Sequence, residues 1–121
     1  MARSRMIKID FWHDEKLASI SMQARLLYIG LWNLSDDYGV VKGNPNWIKN
    51  NMFPYDDLAL IEFTIWLDEL INLKRLAPFS ANGERYLFIV NFKKHQKVDR
   101  PSKTIRNPAP PTEILSMGSR E

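Results

Sequence analysis

The chain has 121 residues, no cysteine, and 17 Lys and Arg against 14 Asp and Glu. This length suits one folded domain that needs no disulfide or metal to hold a core. The lack of cysteine excludes disulfide scaffolds, cysteine-based zinc sites and thiol nucleophiles. No run of about 18 apolar residues is present, and no apolar signal-peptide stretch follows the basic N-terminus, so we expect a cytoplasmic protein without membrane contact.

The charge is unevenly distributed along the chain. Through Asn91 there are ten Lys or Arg and eleven Asp or Glu, whereas from Phe92 onward there are seven and three. A nearly neutral body with a basic end predicts an anionic partner, often nucleic acid. The alternative is a solubilising tail without a partner.

The first twenty residues read as an N-terminal arm. Ile7, Ile9 and Phe11 alternate with charged residues, which is the period of a half-buried strand. Residues 13–17 follow as a short helical turn with acids near its start. We therefore assign residues 1–20 to an arm that precedes the main domain.

A long helix is predicted after Ser21, which is a suitable N-cap. Leu27, Leu31 and Leu34 recur at the helical period. Further apolar residues surround most of the helix, so we expect it to lie centrally. Gly39 marks the turn that follows it.

A very short strand and a second helix come next. The strand lies between two glycines, over residues 39–43. Asn44 caps a helix that has Pro45 at its first position, and Pro54 ends that helix.

The third helix has two apolar faces. It begins at an aspartate cap, Asp56 or Asp57, and runs to about Leu73. One face belongs to the core, and the opposite side carries Leu58, Ile61, Ile65 and Trp66. An exposed apolar strip often marks a protein interface. We expect self-association through this strip; the alternatives are that residues 1–17 cover it or that it has no role.

Two strands follow, over residues 76–79 and 85–90. Asn82-Gly83 between them is a strong hairpin signal. Pro78 cannot donate a backbone hydrogen bond, so the first of these strands should be an edge strand.

The remaining residues, 93–121, are basic and rich in proline. They contain too few apolar side chains to offset the entropy of ordering. We interpret them as an extended tail or linker that orders on a partner. Ile114 and Leu115 could form a short docking element within it.

The element order predicts the fold class. Helix, short strand, helix, helix, strand, turn and strand is the order of an α+β winged helix-turn-helix, with a three-helix core and a β-hairpin wing over residues 21–92. A generic α+β arrangement of the same elements is the alternative.

Several stretches of the chain resemble one family in combination. They are His13–Leu17, Ala24–Trp32, Met52–Asp56 and Arg85–Lys97. Together they are similar to the N-terminal winged-helix domain of phage replication proteins of the replisome-organiser type, which are related to DnaD-like primosomal proteins. The resemblance implies a module that binds DNA or self-associates, often at the front of a longer replication protein.

The DNA-binding residues are predicted outside the third helix. That helix carries five carboxylates, which would repel phosphates, so we do not expect it to enter the major groove. Basic and amide residues near the second helix, the wing and the tail are the better candidates. They are Lys42, Asn46, Lys49, Asn50, Lys74, Arg75, Asn82, Arg85, Lys93, Lys94, His95, Lys97, Arg100, Lys103 and Arg106.

No catalytic constellation is visible in the sequence. The two histidines, His13 and His95, lack the neighbours at the right spacing for a metal site or for acid–base work. We therefore expect no enzyme activity, no metal and no cofactor.

The sequence as a whole predicts a non-catalytic module of phage or prophage origin. It would bind duplex or single-stranded DNA mainly through phosphate contacts, as a homodimer or beside a replication protein. The alternative is a protein–protein interaction module, either a primosome-like scaffold or a small phage protein that binds a host protein through the third helix. A transcriptional regulator would share the fold but would need a basic or amide-rich third helix.

Overall fold

A computed structural model describes residues 4–98 and 107–117 of the chain. Within these ranges the protein is a mixed α+β fold with six α-helices and a three-stranded antiparallel sheet. The helices and strands are α1 Glu15–Ala18, α2 Met22–Leu34, β1 Val40–Lys42, α3 Pro45–Met52, α4 Leu60–Asn72, β2 Leu76–Ala81, β3 Glu84–Ile89, α5 Phe92–His95 and α6 Thr112–Leu115.

The predicted caps of α2 and α3 are confirmed. Ser21 Oγ accepts a hydrogen bond from the Ala24 amide at 3.1 Å. Asn44 Oδ1 accepts from the amides of Asn46 and Trp47, at 2.9 and 3.3 Å. Both side chains satisfy amides that have no partner within the helix. Helix α2 is central as predicted, with five of its side chains buried.

Helix α4 begins later than the sequence predicted. Its N-cap is Ala59, which makes no side-chain cap bond, and neither Asp56 nor Asp57 caps it. The backbone turns before the helix, because Asp56 N donates to Phe53 O and Leu58 N donates to Asp56 O. Both aspartates therefore lie in an exposed turn.

The sheet has the strand order β1-β3-β2. Strands β2 and β3 form the predicted hairpin, and its two-residue turn has φ of 55° at Asn82 and 77° at Gly83. Positive φ at both positions is the requirement of a type I′ turn. Pro78 lies on β2, which is an edge strand as predicted.

The two faces of the sheet are both apolar. The inner face packs on α2, α3 and α4 through side chains such as Val41, Leu87 and Ile89. The outer face forms a second buried cluster, which is made by Val40, Ala77, Phe79, Tyr86, Phe88 and Val90. This fold therefore covers both sides of its sheet.

The N-terminal arm differs from the prediction. Residues 9–11 form one turn of 3-10 helix instead of part of a strand. The backbone of Met6 is bonded to a side chain and not to a neighbouring strand: its N donates to Gln96 Oε1 and its O accepts from Gln96 Nε2, both at 2.8 Å. Phe11 packs against Tyr28 and Trp32 of α2.

The packed part of the chain continues beyond the boundary expected at residue 92. Phe92 is 2% exposed and Gln96 is 6% exposed, and Val98 packs against the main core. Ile114 and Met117 pack on the outer face of the sheet. The described parts of 93–121 thus contact the body, where the sequence predicted an extended tail.

Candidate nucleic-acid interface

The first group of predicted DNA-binding residues meets at the hairpin end of the sheet. Lys42 on β1 is paired with Tyr86 on β3, and the amide of Gly43 donates to the carbonyl of Arg85 at 2.9 Å. Lys42 and Arg85 therefore lie on neighbouring strands, and both are exposed. We call Lys42, Asn46, Asn82 and Arg85 the wing-end cluster.

Helix α3 begins immediately beside this cluster. Lys42 Nζ lies 5.5 Å from the centroid of the Trp47 ring, a cation–π contact that links β1 to the helix. Asn46 and Asn50 are exposed, and Lys49 is half-buried. Helix α3 thus presents amides and one cation, with no carboxylate between its ends.

A tyrosine with a raised pKa lies next to the wing-end cluster. Tyr86 Oη donates to Glu84 Oε2 at 2.9 Å, and this hydrogen bond to a carboxylate raises the pKa of Tyr86 above its ordinary value of 10.0. Burial and the charge of Glu84 act in the same direction. Glu84 is therefore held by Tyr86 beside the cations of the wing.

A second group lies at the other end of the sheet. Lys93, Lys94, His95 and Lys97, which we call the α5 cluster, follow β3 and are exposed. Arg85 and Val90 are five residues apart on an extended strand, so the two clusters are separated by about 17 Å along the sheet. Lys93 Nζ lies 5.3 Å from the Tyr38 ring centroid, and Lys8 Nζ donates to the Lys94 carbonyl at 3.1 Å. Lys74, exposed and with φ of 64°, lies in the turn before β2.

Arg75, another of the predicted DNA-binding residues, is paired with a carboxylate in the structure. Its Nη2 donates to Asp14 Oδ2 at 2.9 Å, and only 12% of its side chain is exposed. The other oxygen of Asp14 caps α1 by accepting from Lys16 N and Leu17 N. Arg75 therefore ties the N-terminal arm to the α4–β2 turn. Arg100, Lys103 and Arg106 lie outside the described residues.

Two of the four residues predicted to form a protein interface are exposed on α4. Ile61 is 71% exposed and Ile65 is 54% exposed, while Leu58 is half-buried. Trp66 is the exception, because its ring packs edge-on against Phe53 and Phe63. The described residues of the arm leave Ile61 and Ile65 exposed, and Phe11 of the arm packs on α2.

The sequence analysis missed Arg5, which links the N-terminal arm to α2 and α5. The side chain of Arg5 is 7% exposed. Its Nε donates to the Trp32 carbonyl at 2.8 Å, and its guanidinium lies 5.1 Å from the Phe92 ring centroid. A cation at the C-terminus of α2 is favoured by the helix dipole. Nothing in the local sequence pattern distinguishes Arg5 from the other basic residues near the N-terminus.

Comparison of the chain with protein-family models, with curated proteins and with solved structures found no match. In residues 4–98 and 107–117, no three His, Asp or Glu side chains group closely enough to hold a metal ion. No helix in that same part of the chain is long and apolar enough to cross a membrane.

Proposed function

We propose that this chain is a winged-helix module that binds DNA without catalysis. The order α2-β1-α3-α4-β2-β3 and the sheet order β1-β3-β2 support the winged-helix assignment. In this assignment α2, α3 and α4 are the three core helices, and the β2–β3 hairpin is the wing.

The wing-end cluster is the observation that carries the DNA-binding proposal. It places the exposed cations Lys42 and Arg85 on neighbouring strands, near the amide-bearing start of α3. Cations contact phosphates without a fixed spacing, and amides can contact either phosphates or base edges. The α5 cluster adds further cations, so a polyanion that follows the sheet would meet positive charge at both ends.

Helix α4 is not the recognition helix in this proposal. Its exposed residues include Glu62 and Asp68, and the turn before it carries Asp56 and Asp57. Phosphate neutralisation supplies much of the affinity for DNA, and these carboxylates would oppose it. DNA that contacts the wing, α3 and α5 need not place its phosphates against these carboxylates.

The resemblance to replisome-organiser proteins gives the proposed context. A phage or prophage replication protein acts in the cytoplasm of its host, on single-stranded or duplex DNA. The resemblance is carried by His13–Leu17, Ala24–Trp32, Met52–Asp56 and Arg85–Lys97. It supports a role in positioning DNA or partner proteins, with no reaction of its own.

Fluorescence anisotropy with labelled duplex and single-stranded DNA at several salt concentrations tests the proposal. If about six cations engage duplex phosphates, log affinity falls against log salt with a slope near −5. We expect the double variant Lys42→Gln, Arg85→Gln to reduce the steepness by about two. Lys16→Gln is the control, since Lys16 is exposed on α1 and belongs to neither cluster.

Either of two results would contradict DNA binding through the wing. One is a salt response that is flat for the full chain. The other is an equal loss of affinity in the control and in the double variant, which would indicate a nonspecific effect of net charge.

A second candidate function is a protein–protein interaction module. Ile61 and Ile65, which are exposed on α4 and flanked by carboxylates, favour it, with half-buried Leu58 just before the helix. A monomeric scaffold would not be expected to leave such residues in water without a partner. The partner would be a second copy or a replication protein, and DNA would not be required.

A further inference from the structure

The outer face of the sheet is kept from water by the chain's own residues 107–117. Six apolar side chains on this face are buried, and the rings of Phe79 and Tyr86 stack there with centroids 5.6 Å apart. Ile114 and Met117 are the partly buried side chains from residues 107–117 that pack against them. Residues 107–117 therefore pack on one face of the sheet, and α2, α3 and α4 pack on the other.

Residues 107–117 have the form of a bound peptide. Pro108, Pro110 and Pro111 precede the single turn of α6, and Pro111 has the polyproline II angles φ −58° and ψ 152°. Proline-rich extended segments dock in aromatic-lined grooves because they lose little conformational entropy on binding. Asn107 fixes the start of the segment, since its Nδ2 donates to Asp36 Oδ2 at 3.1 Å and to the Val40 carbonyl at 3.2 Å.

The segment does not fill its site. A cleft of about 540 Å³ remains between it and the body, and its walls include Val40, Phe88, Phe92, Pro108 and Leu115. Leu115 is 50% exposed at this wall. The cleft is open to solvent, so residues 107–117 cover this face only in part. A contact with few buried side chains opens at low free energy.

We propose that the outer face of the sheet is a docking site for a proline-containing, apolar peptide of a partner protein. Residues 107–117 are then the resident ligand, which such a peptide displaces. The site recognises an amide or similar donor at the Asp36–Val40 edge, an extended proline stretch, and two apolar side chains on one helical turn. Lys93 and Lys94 of the α5 cluster also line its cleft, so a bound peptide would lie next to that part of the proposed DNA interface.

Fluorescence polarisation tests this proposal by measuring the affinity of the full chain for a labelled synthetic peptide with the sequence of residues 107–117. In the wild type the tethered segment competes at an effective concentration in the millimolar range, so the free peptide should bind weakly. The double variant Ile114→Ser, Met117→Ser weakens only the tethered copy. We expect this variant to bind the free peptide at least tenfold more tightly than the wild type does.

The matched control is Glu113→Gln, because Glu113 is exposed in the same segment and its side chain has no described contact with the outer face. It should bind the peptide as weakly as the wild type. A peptide with Ala109→Leu should bind several-fold more tightly than the unmodified peptide, since Ala109 lines the unfilled cleft. A peptide with Asn107→Ala should bind more weakly than the unmodified peptide, because it lacks the amide that donates to Asp36 and Val40.

The proposal is wrong if the double variant keeps the circular dichroism of the wild type and still binds the peptide no better. It is also wrong if the Ala109→Leu and Asn107→Ala peptides bind alike, since the contacts described above would then not contribute. A double variant that forms a dimer resistant to excess peptide would assign the face to a second copy, which overturns a partner peptide.

Discussion

Gly39 shows how a single residue sets the join between the sheet and the chain's later part. Its φ is 86°, and a Cβ at this position would lie 2.6 Å from Phe92 Cβ and 2.8 Å from Phe92 Cγ. Its carbonyl also accepts a hydrogen bond from Ile89 at 2.8 Å. Only glycine combines this backbone conformation with the close approach of the buried ring.

We expect Gly39→Ala to lower the free energy of unfolding by at least about 2 kcal/mol, because strain in the left-handed region adds to overpacking. Gly83→Ala is the matched control: φ is 77° there, but no atom lies within 4 Å of the added Cβ. The free energy of unfolding of that variant should fall by only about 1 kcal/mol, which is the cost of a positive φ for alanine. Urea denaturation measures both, and equal losses would show that the contact with Phe92 is unimportant.

At the scale of elements, helix α4 is unusual because it carries apolar side chains on its solvent-exposed side as well as on its buried side. Its inner side buries Phe63, Leu67 and Leu70, which explains one apolar stripe. Its outer strip, with Ile61 and Ile65, is exposed in the single chain. Such a strip favours contact with another protein surface.

We expect the wild type to self-associate at tens of micromolar and the double variant Ile61→Asp, Ile65→Asp to be monomeric, because carboxylates would be desolvated in the contact. Sedimentation velocity measures this directly. Ile9→Asp is the matched control, since Ile9 and Ile61 are both 71% exposed and Ile9 lies on the arm. A monomeric wild type would end the idea of self-association through α4.

Local sequence patterns predicted some of these elements correctly and others not. The α2 and α3 caps and the Asn82-Gly83 turn were predictable, since each depends on residues within four positions of one another. The strand expected over residues 6–11 was wrong, because alternation alone does not supply a neighbouring strand. Its backbone is bonded instead to Gln96, 90 positions away.

At the scale of the whole molecule, the predicted cations divide into two clusters about 17 Å apart along the sheet. If DNA contacts both, Lys93→Gln, Lys94→Gln should reduce the steepness of the salt dependence by about two, and combining it with Lys42→Gln, Arg85→Gln should reduce it by about four. Titrations at several salt concentrations check this additivity. An unchanged slope in the α5 variant would restrict the interface to the wing end.

The sequence by itself determined the local elements of this protein, including its capped helices, its tight hairpin and the edge position of the strand with Pro78. These depend on periodicity, capping and turn residues, which act over a few neighbouring positions. Only the tertiary structure decided that Arg75 pairs with Asp14, 61 positions away, and that residues 107–117 cover the outer face of the sheet. The physical reason is that both depend on contacts between residues distant in the chain, which no local pattern encodes.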